Sequence, residues 1–176
     1  MLTAEEVIAR LGLVPLTLEG GYFRETYRSP MVIQAAALPD DYGGERNAST
    51  AIYYLLTPEA FSAIHRVRSD EVFHFYAGDP VEMLQLRPEG GSDVVVIGND
   101  LEAGQVPQVV VPAGVWQGGR LAPAGPTVAK IACGWALLGC TVAPGFDYAG
   151  FEPGDRAELI DEYPKYTELI TALAAR

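Results

Sequence analysis

The stretch HRVRSDEVFHFYAG, residues 65 to 78, contains both histidines of the chain, two carboxylates and several aromatic residues. Apolar and polar residues alternate on both sides of the polar segment 68–70, a pattern that predicts two β-strands joined by a tight turn. Because side chains alternate along a strand, the second strand has two faces, one with Glu71, Phe73 and Phe75 and the other with Val72, His74 and Tyr76.

The expected hairpin brings His65 of the first strand opposite the face that carries Glu71 and Phe73. One imidazole and one carboxylate would then lie in an aromatic, partly desolvated setting, which shifts pKa values and suits either metal ligation or proton transfer. The same pair could instead form a buried hydrogen bond that only stabilises the hairpin. His74 is expected on the opposite face, with a role at the surface or at a subunit interface.

The rest of the chain predicts one β-rich domain over residues 1–176. About nine short β-rich runs extend from about residue 20 to the apolar segment near 127–143, and Pro, Gly and Asp residues separate them. Helices are expected only at the ends. Thr3 and Glu6 have capping-box spacing, Asp155 can cap a turn, and Pro164 suits the start of a final helix. This order indicates an antiparallel sandwich or barrel.

Composition excludes several classes of partner. The chain has 12 Lys and Arg against 23 Asp and Glu, a formal net charge of −11, which disfavours binding to nucleic acid and to anionic membranes. No apolar run approaches the roughly 20 residues of a membrane span, and the N-terminus does not resemble a signal peptide. Cys133 and Cys140 lie in one apolar segment and are expected to be buried thiols. We therefore expect a cytoplasmic protein.

Two short motifs are similar to those of cupins. His65, Glu71 and Gly78 occupy the register of the first cupin motif, and PAGVWQ at 112–117 matches the second. Longer elements, among them GGYFRETYRS at 20–29, STAIYYLL at 49–56 and VAPGFDYAGFEPGDRAEL at 142–159, resemble the cupin-5 family, an RmlC-like group once catalogued as a domain of unknown function. The resemblance implies a mainly antiparallel β fold: a double-stranded β-helix, or jelly roll, with short helices at both ends.

The sequence departs from the metal-binding pattern of that family. Val67 stands where the first motif has its second histidine, and Gln117 stands where the second motif has its histidine. The remaining candidate ligands are His65, Glu71 and Gln117, and glutamine is a poor ligand for transition metals. We therefore expect a pocket without a cofactor, or one that holds a divalent ion only weakly.

Other residues are candidates for lining the same pocket. Arg24 could bind a substrate carboxylate or phosphate, or could pair with an acidic residue in a structural network. Trp116 beside Gln117 offers an aromatic wall and a hydrogen-bonding head, although it could equally be a core tryptophan. Phe73 shares the predicted pocket face, and Tyr54 could line the cavity. Residues 146–152 could form a flap at the barrel mouth, but an anchoring role for the C-terminal helices is favoured.

The resemblance and these residues support three functional hypotheses. The first is an isomerase or epimerase of a small metabolite, such as a sugar derivative, with His65 as base, Glu71 as its orienting partner and Tyr54 as acid, and with Arg24 or Gln117 stabilising the enolate oxygen. The second is a non-catalytic ligand-binding cupin. The third is an oxygenase or lyase dependent on a weakly bound metal at His65, Glu71 and Gln117. The resemblance also implies a homodimer.

Overall fold

A computed structural model describes residues 2–88, 90–125, 128 and 133–174. Its strands are β1 (Val14–Pro15), β2 (Tyr22–Arg28), β3 (Val32–Ile33), β4 (Arg46–Asn47), β5 (Thr50–Leu56), β6 (Ser62–Arg66), β7 (Asp70–Gly78), β8 (Val81–Leu86), β9 (Ser92–Ile97), β10 (Gln108–Val111), β11 (Trp116–Leu121), β12 (Ala136–Ala143) and β13 (Glu152–Pro153). Its helices are α1 (Ala4–Leu11), α2 (Arg156–Glu162) and α3 (Thr167–Leu173). Much of the apolar run predicted near 127–143 forms β12, while residues 126, 127 and 129–132 lie outside the described part of the chain.

The strands form two main antiparallel sheets. A six-stranded sheet has the order β1-β2-β5-β12-β7-β10, and a five-stranded sheet has the order β13-β6-β11-β8-β9. The two sheets pack face to face around a core that includes Tyr54, Phe73 and Leu138 of the first sheet and Met83 of the second. This confirms the predicted jelly roll with short terminal helices.

The predicted hairpin over residues 65–78 is wrong in its pairing. β6 pairs with β11 and β13, whereas β7 pairs with β12 and β10, so the two strands belong to different sheets. The chain crosses from one sheet to the other at residues 67–69. A tight turn can join two strands of one hairpin or lead from one sheet to the other. The long-range pairing of β6 with β11 and of β7 with β12 decides between these two arrangements. His65 and Glu71 therefore belong to different sheets, one on each side of this crossing.

The helices cover parts of the outer surfaces. Leu159, Ile170 and Leu173 of α2 and α3 pack on Ile64 and Leu84 of the five-stranded sheet, away from the interior. The expected caps are present: Thr3 and Glu6 form a capping box, and Asp155 accepts hydrogen bonds from two backbone N–H groups of α2. Within the described residues, no helix is long and apolar enough to cross a membrane.

Candidate functional site

A cavity of about 90 Å³ lies between the two sheets. Its walls are mostly apolar, and they include the aromatic side chains of Phe23, Phe146, Tyr148 and Phe151. Its polar groups are His65, Glu19, Glu71 and Cys140 in the interior and Arg28 and Glu25 at the more exposed rim. The volume is small beside the roughly 300–1,000 Å³ of pockets for drug-sized ligands. The cavity therefore suits a molecule with few heavy atoms.

His65 is held in one orientation and one tautomer. Its side chain is only 2% exposed, and its ring stacks on Phe151 with centroids 5.1 Å apart. Nδ1 lies 2.8 Å from the carbonyl oxygen of Ala63. A carbonyl can only accept, so Nδ1 carries the proton, and in the neutral ring Nε2 is left with a lone pair. This nitrogen makes no hydrogen bond to any residue that the structure describes, and Glu19 Oε2 lies 3.7 Å from it.

Glu19 is a site residue that the sequence analysis missed. Its Oε1 accepts a hydrogen bond of 2.8 Å from Ser62 Oγ, and its backbone carbonyl accepts one of 2.8 Å from the Ala63 amide. Gly20 follows with φ +99°, and a Cβ there would lie 2.2 Å from the Phe61 carbonyl oxygen. The loop can lie this close to β6 because it has no side chain at Gly20. The sequence feature that could have indicated this role is the position of Glu19 directly before Gly20 and Gly21.

Glu71 lies on β7 of the six-stranded sheet and is 8% exposed. Its Oε2 accepts a hydrogen bond of 2.7 Å from Gln117 Nε2. Burial and the nearby Glu19 carboxylate raise the pKa of Glu71 to about 7, against the opposing effects of His65 and the Gln117 hydrogen bond. Burial and the Glu71 carboxylate also raise the pKa of the Cys140 thiol, which therefore keeps its proton. Near neutral pH this wall holds a carboxyl group that is about half protonated.

Gln117 stands directly opposite His65 on the neighbouring strand β11 and is 1% exposed. Its amide N–H points to Glu71, while Oε1 has no hydrogen-bond partner in the described part of the chain. Val67 contributes an apolar surface to the cavity. No group of three or more His, Cys, Asp or Glu suited to a metal ion occurs among the described residues.

A tightly held transition metal, which the fold family would imply, therefore does not fit this donor set. The amide presents an N–H donor, and not an acceptor, to the Glu71 carboxyl group. Metal ligation would need a deprotonated carboxylate and an acceptor atom turned toward the ion.

Five of the predicted pocket residues do not line the cavity. Tyr54 is buried in the core and donates a hydrogen bond of 3.0 Å to the Gly20 carbonyl, and burial raises its pKa well above the usual value. Phe73 is also buried in the core. The ring of Trp116 lies 4.3 Å from the guanidinium of Arg66, and the side chain packs against the helix-covered core. Arg24 lies on the outer face of β2, and Gln117 contacts Glu71 without lining the cavity itself.

A bulge in β2 puts the two arginines of that strand on opposite faces. Glu25 and Tyr27 pair with the consecutive residues Ile52 and Ala51 of β5, so Thr26 is an extra residue. Alternation is broken there. Arg24 lies over the Tyr53 ring on the outer face, 5.5 Å from its centroid, whereas Arg28 lines the cavity.

The rim of the cavity is formed by the segment after β12. Phe146 and Tyr148 meet edge to face with centroids 5.1 Å apart, and both line the cavity with Phe151. Arg28 donates to Glu25 at 2.7 and 3.1 Å and to Asn47 Oδ1 at 2.9 Å, and it also reaches the Phe146 carbonyl at 3.4 Å. The segment that was expected mainly to anchor the C-terminal helices thus forms one wall of the cavity.

His74, the second histidine, lies on the other face of β7. Its ring nitrogens are 3.2 Å from Gln108 Nε2 and 3.4 Å from Thr141 Oγ1. It does not belong to the residues that line the cavity. His65 therefore lines the cavity, whereas His74 lies on the outer face of the six-stranded sheet.

Two antiparallel sheets that pack face to face around a small cavity with polar groups define a jelly-roll barrel. The chain belongs to the cupin superfamily: the family model Cupin_5, described as "Cupin superfamily (DUF985)", matches residues 5–153.

Known relatives agree with this assignment. A hypothetical protein from Leishmania major has a TM-score of 0.86 and 36% identity, with 99% of this chain and 100% of that chain covered. Protein SO0799 from Shewanella oneidensis has a TM-score of 0.83 and 30% identity, with 99% of each chain covered. The uncharacterized protein YML079W from Saccharomyces cerevisiae is 33% identical over 135 residues, which are 74% of this chain and 65%, just under two thirds, of the yeast protein. These relatives support the family and the fold and identify no activity.

Proposed function

We propose that this protein binds a small metabolite in the cavity and transfers a proton on it, as an isomerase or epimerase acting beside a carbonyl group. The observation that carries this proposal is the fixed tautomer of His65, whose Nδ1 donates to the Ala63 carbonyl and whose Nε2 is left as an acceptor. An unprotonated imidazole nitrogen that lies in a buried cavity, with no hydrogen bond to the described residues, is suited to act as a base.

Glu71 supplies the matching acid in this mechanism, in place of Tyr54. His65 Nε2 takes the proton from the carbon beside the carbonyl, and the electron pair of the broken C–H bond forms the enolate. The protonated Glu71 carboxyl group, which lines the same cavity from the other sheet, delivers its proton to the enolate carbon. A pKa of about 7 is close to the value at which an acid works well in neutral solution.

The cavity limits the kind of substrate. Apolar and aromatic walls leave most hydroxyl groups of a sugar without hydrogen-bond partners, which is costly. A sugar derivative would therefore have to be small and deoxygenated, and a short-chain carbonyl compound fits better.

Solvent deuterium exchange tests this function. The protein is incubated in D₂O with a panel of short hydroxy- and aminocarbonyl compounds, and loss of the proton on the carbon beside the carbonyl is followed by NMR. We expect exchange with at least one compound and a loss of roughly 10²–10⁴-fold in His65→Gln. His74→Gln, which changes the histidine outside the cavity, should keep the wild-type rate. Exchange in none of the compounds, or equal exchange in both variants, would contradict the proposal.

Ligand binding without catalysis is the second candidate, and one observation favours it. The aromatic segment 146–151 closes the cavity around a space of only about 90 Å³, as expected for a site that retains a ligand. Saturable binding with no exchange of any carbon-bound proton would support this candidate over the first.

We also propose that the protein forms a homodimer through the outer face of the six-stranded sheet. Two rows cross this face, Val110-Val72-Thr141-Ala51-Tyr27 and Gln108-His74-Gly139-Tyr53-Arg24. Tyr27, Tyr76 and Val110 are about half exposed there, and neither row contains a carboxylate in a chain of net charge −11. A second copy can approach this face with little charge repulsion. Light scattering at micromolar concentration should give twice the chain mass, and a strictly monomeric species would refute the dimer.

A further inference from the structure

The charge of the cavity restricts the charge of its ligand. Within the part of the chain that the structure describes, the acidic groups that line the cavity are Glu19, Glu25 and Glu71, and Arg28 is the one permanently charged cation. The guanidinium of Arg28 is already bound by both carboxylate oxygens of Glu25 and by the Asn47 side chain. An anionic ligand would thus meet an excess of negative charge in a chain whose net charge is −11.

Two acceptor atoms face the same part of the cavity. Glu19 Oε2 and His65 Nε2 are 3.7 Å apart, too far to be hydrogen-bonded to each other. The Nδ1–H of His65 is used by Ala63, so the ring offers Nε2 as a lone pair. A group that donates a hydrogen bond to the carboxylate would lie against Nε2 as well. A ligand nitrogen bound to Oε2 would bring the carbon attached to it close to that lone pair.

The aromatic walls complete a site for an organic cation. Phe23, Phe146, Tyr148 and Phe151 line the same cavity, and the faces of such rings attract ammonium groups. The remaining apolar walls can contact a short carbon chain.

We propose that the ligand is a small α-aminocarbonyl compound, cationic at nitrogen and without a free carboxylate, whose ammonium group binds Glu19 and whose α-carbon faces His65 Nε2. This assignment rests on the proposed proton-transfer function, because it places the carbon that loses its proton beside the base. Glu19 is then a substrate-binding residue that selects for charge, and the positive nitrogen also makes the adjacent C–H bond more acidic.

Three probes that differ in charge test the proposal: aminoacetone is cationic, hydroxyacetone is its neutral counterpart, and lactate is anionic. Dissociation constants are measured by protein-observed NMR with the full chain. In the wild type, aminoacetone should bind about ten- to a hundredfold more tightly than hydroxyacetone, as expected for one charged hydrogen bond. In Glu19→Gln this preference should fall to about one. Glu59→Gln, which changes an exposed acid outside the cavity, should keep the wild-type preference.

The comparison of probes in the wild type does not depend on whether Glu19→Gln folds. Equal binding of aminoacetone and hydroxyacetone, tighter binding of lactate, or no binding of any probe would overturn the proposed ligand class. Deuterium exchange into the same probes separates this proposal from the function beneath it. If hydroxyacetone exchanges its proton and aminoacetone is not preferred, the proton-transfer function stands but the cationic ligand class is wrong. Tight, Glu19-dependent binding of aminoacetone without exchange supports the class and contradicts the function.

Discussion

Replacement of Glu71 by glutamine should stabilise the protein above neutral pH and have little effect in mild acid. The folded protein raises the pKa of this carboxyl group from its ordinary value of 4.5 to about 7. The folded state therefore holds the proton more strongly than the unfolded chain. The cost of ionising Glu71 is absent below about pH 4.5, grows as the pH rises from 4.5 to 7, and is complete above 7. At about 1.4 kcal/mol per pKa unit, the full cost at pH 8 is about 3 kcal/mol.

Glutamine is a suitable substitute because it has nearly the same shape, can accept the hydrogen bond from Gln117 Nε2 and carries no charge. Urea unfolding of the wild type and Glu71→Gln at pH 5 and at pH 8 gives the free energy of unfolding of each. The advantage of the variant should be about 2–3 kcal/mol larger at pH 8 than at pH 5. Glu59→Gln, an exposed control, should show no such change. A difference between the wild type and Glu71→Gln that is the same at both pH values would refute the raised pKa.

Arg28→Met should speed hydrogen exchange in the segment 146–151, because it removes the guanidinium contact with the Phe146 carbonyl. Mass spectrometry measures this exchange, and the free energy of unfolding should change by less than about 1 kcal/mol. Gly78→Ala should destabilise more than Gly104→Ala in urea, since both have positive φ but a Cβ at Gly78 alone would collide with backbone, 2.2 Å from the Trp135 carbonyl. Asp155→Ala should cost about 1 kcal/mol of unfolding free energy through loss of the α2 cap. Elemental analysis of untagged protein should find substoichiometric transition metal, and one ion per chain would contradict the donor-set argument.

Local sequence patterns predicted the fold well, because strands, turns and helix caps each depend on residues that are close together in the chain. Strand alternation and turn residues predicted a β barrel, and the spacing of Thr3 and Glu6 predicted the capping box that begins α1. These patterns depend on neighbours within a few positions along the chain. They contain no information on which strands pair, and for that reason the hairpin predicted over residues 65–78 was wrong.

The pocket was harder to predict, since its residues come from distant parts of the chain. Glu19 reaches His65 from a loop 46 positions earlier, which no spacing rule would connect. Alternation alone would put Arg24 and Arg28 on the same face of β2, but the extra residue Thr26 separates them, so that Arg24 lies on the outer face and Arg28 lines the cavity. A bulge of this kind depends on the partner strand, so the strand's own sequence does not predict it.

The two departures from the cupin metal motif change the chemistry of the site as well as its metal affinity. A cation bound between His65, Glu71 and Gln117 would favour the ionised form of the carboxyl group and would use the imidazole lone pair. With valine at 67 and an amide at 117, no second imidazole is available, and Gln117 directs an N–H group to Glu71. Burial then favours the protonated carboxyl group, so a proton at Glu71 replaces the positive charge of a metal. The barrel thus brings the imidazole of His65 and the carboxyl group of Glu71 to one cavity, and the proton transfer proposed above would use both groups.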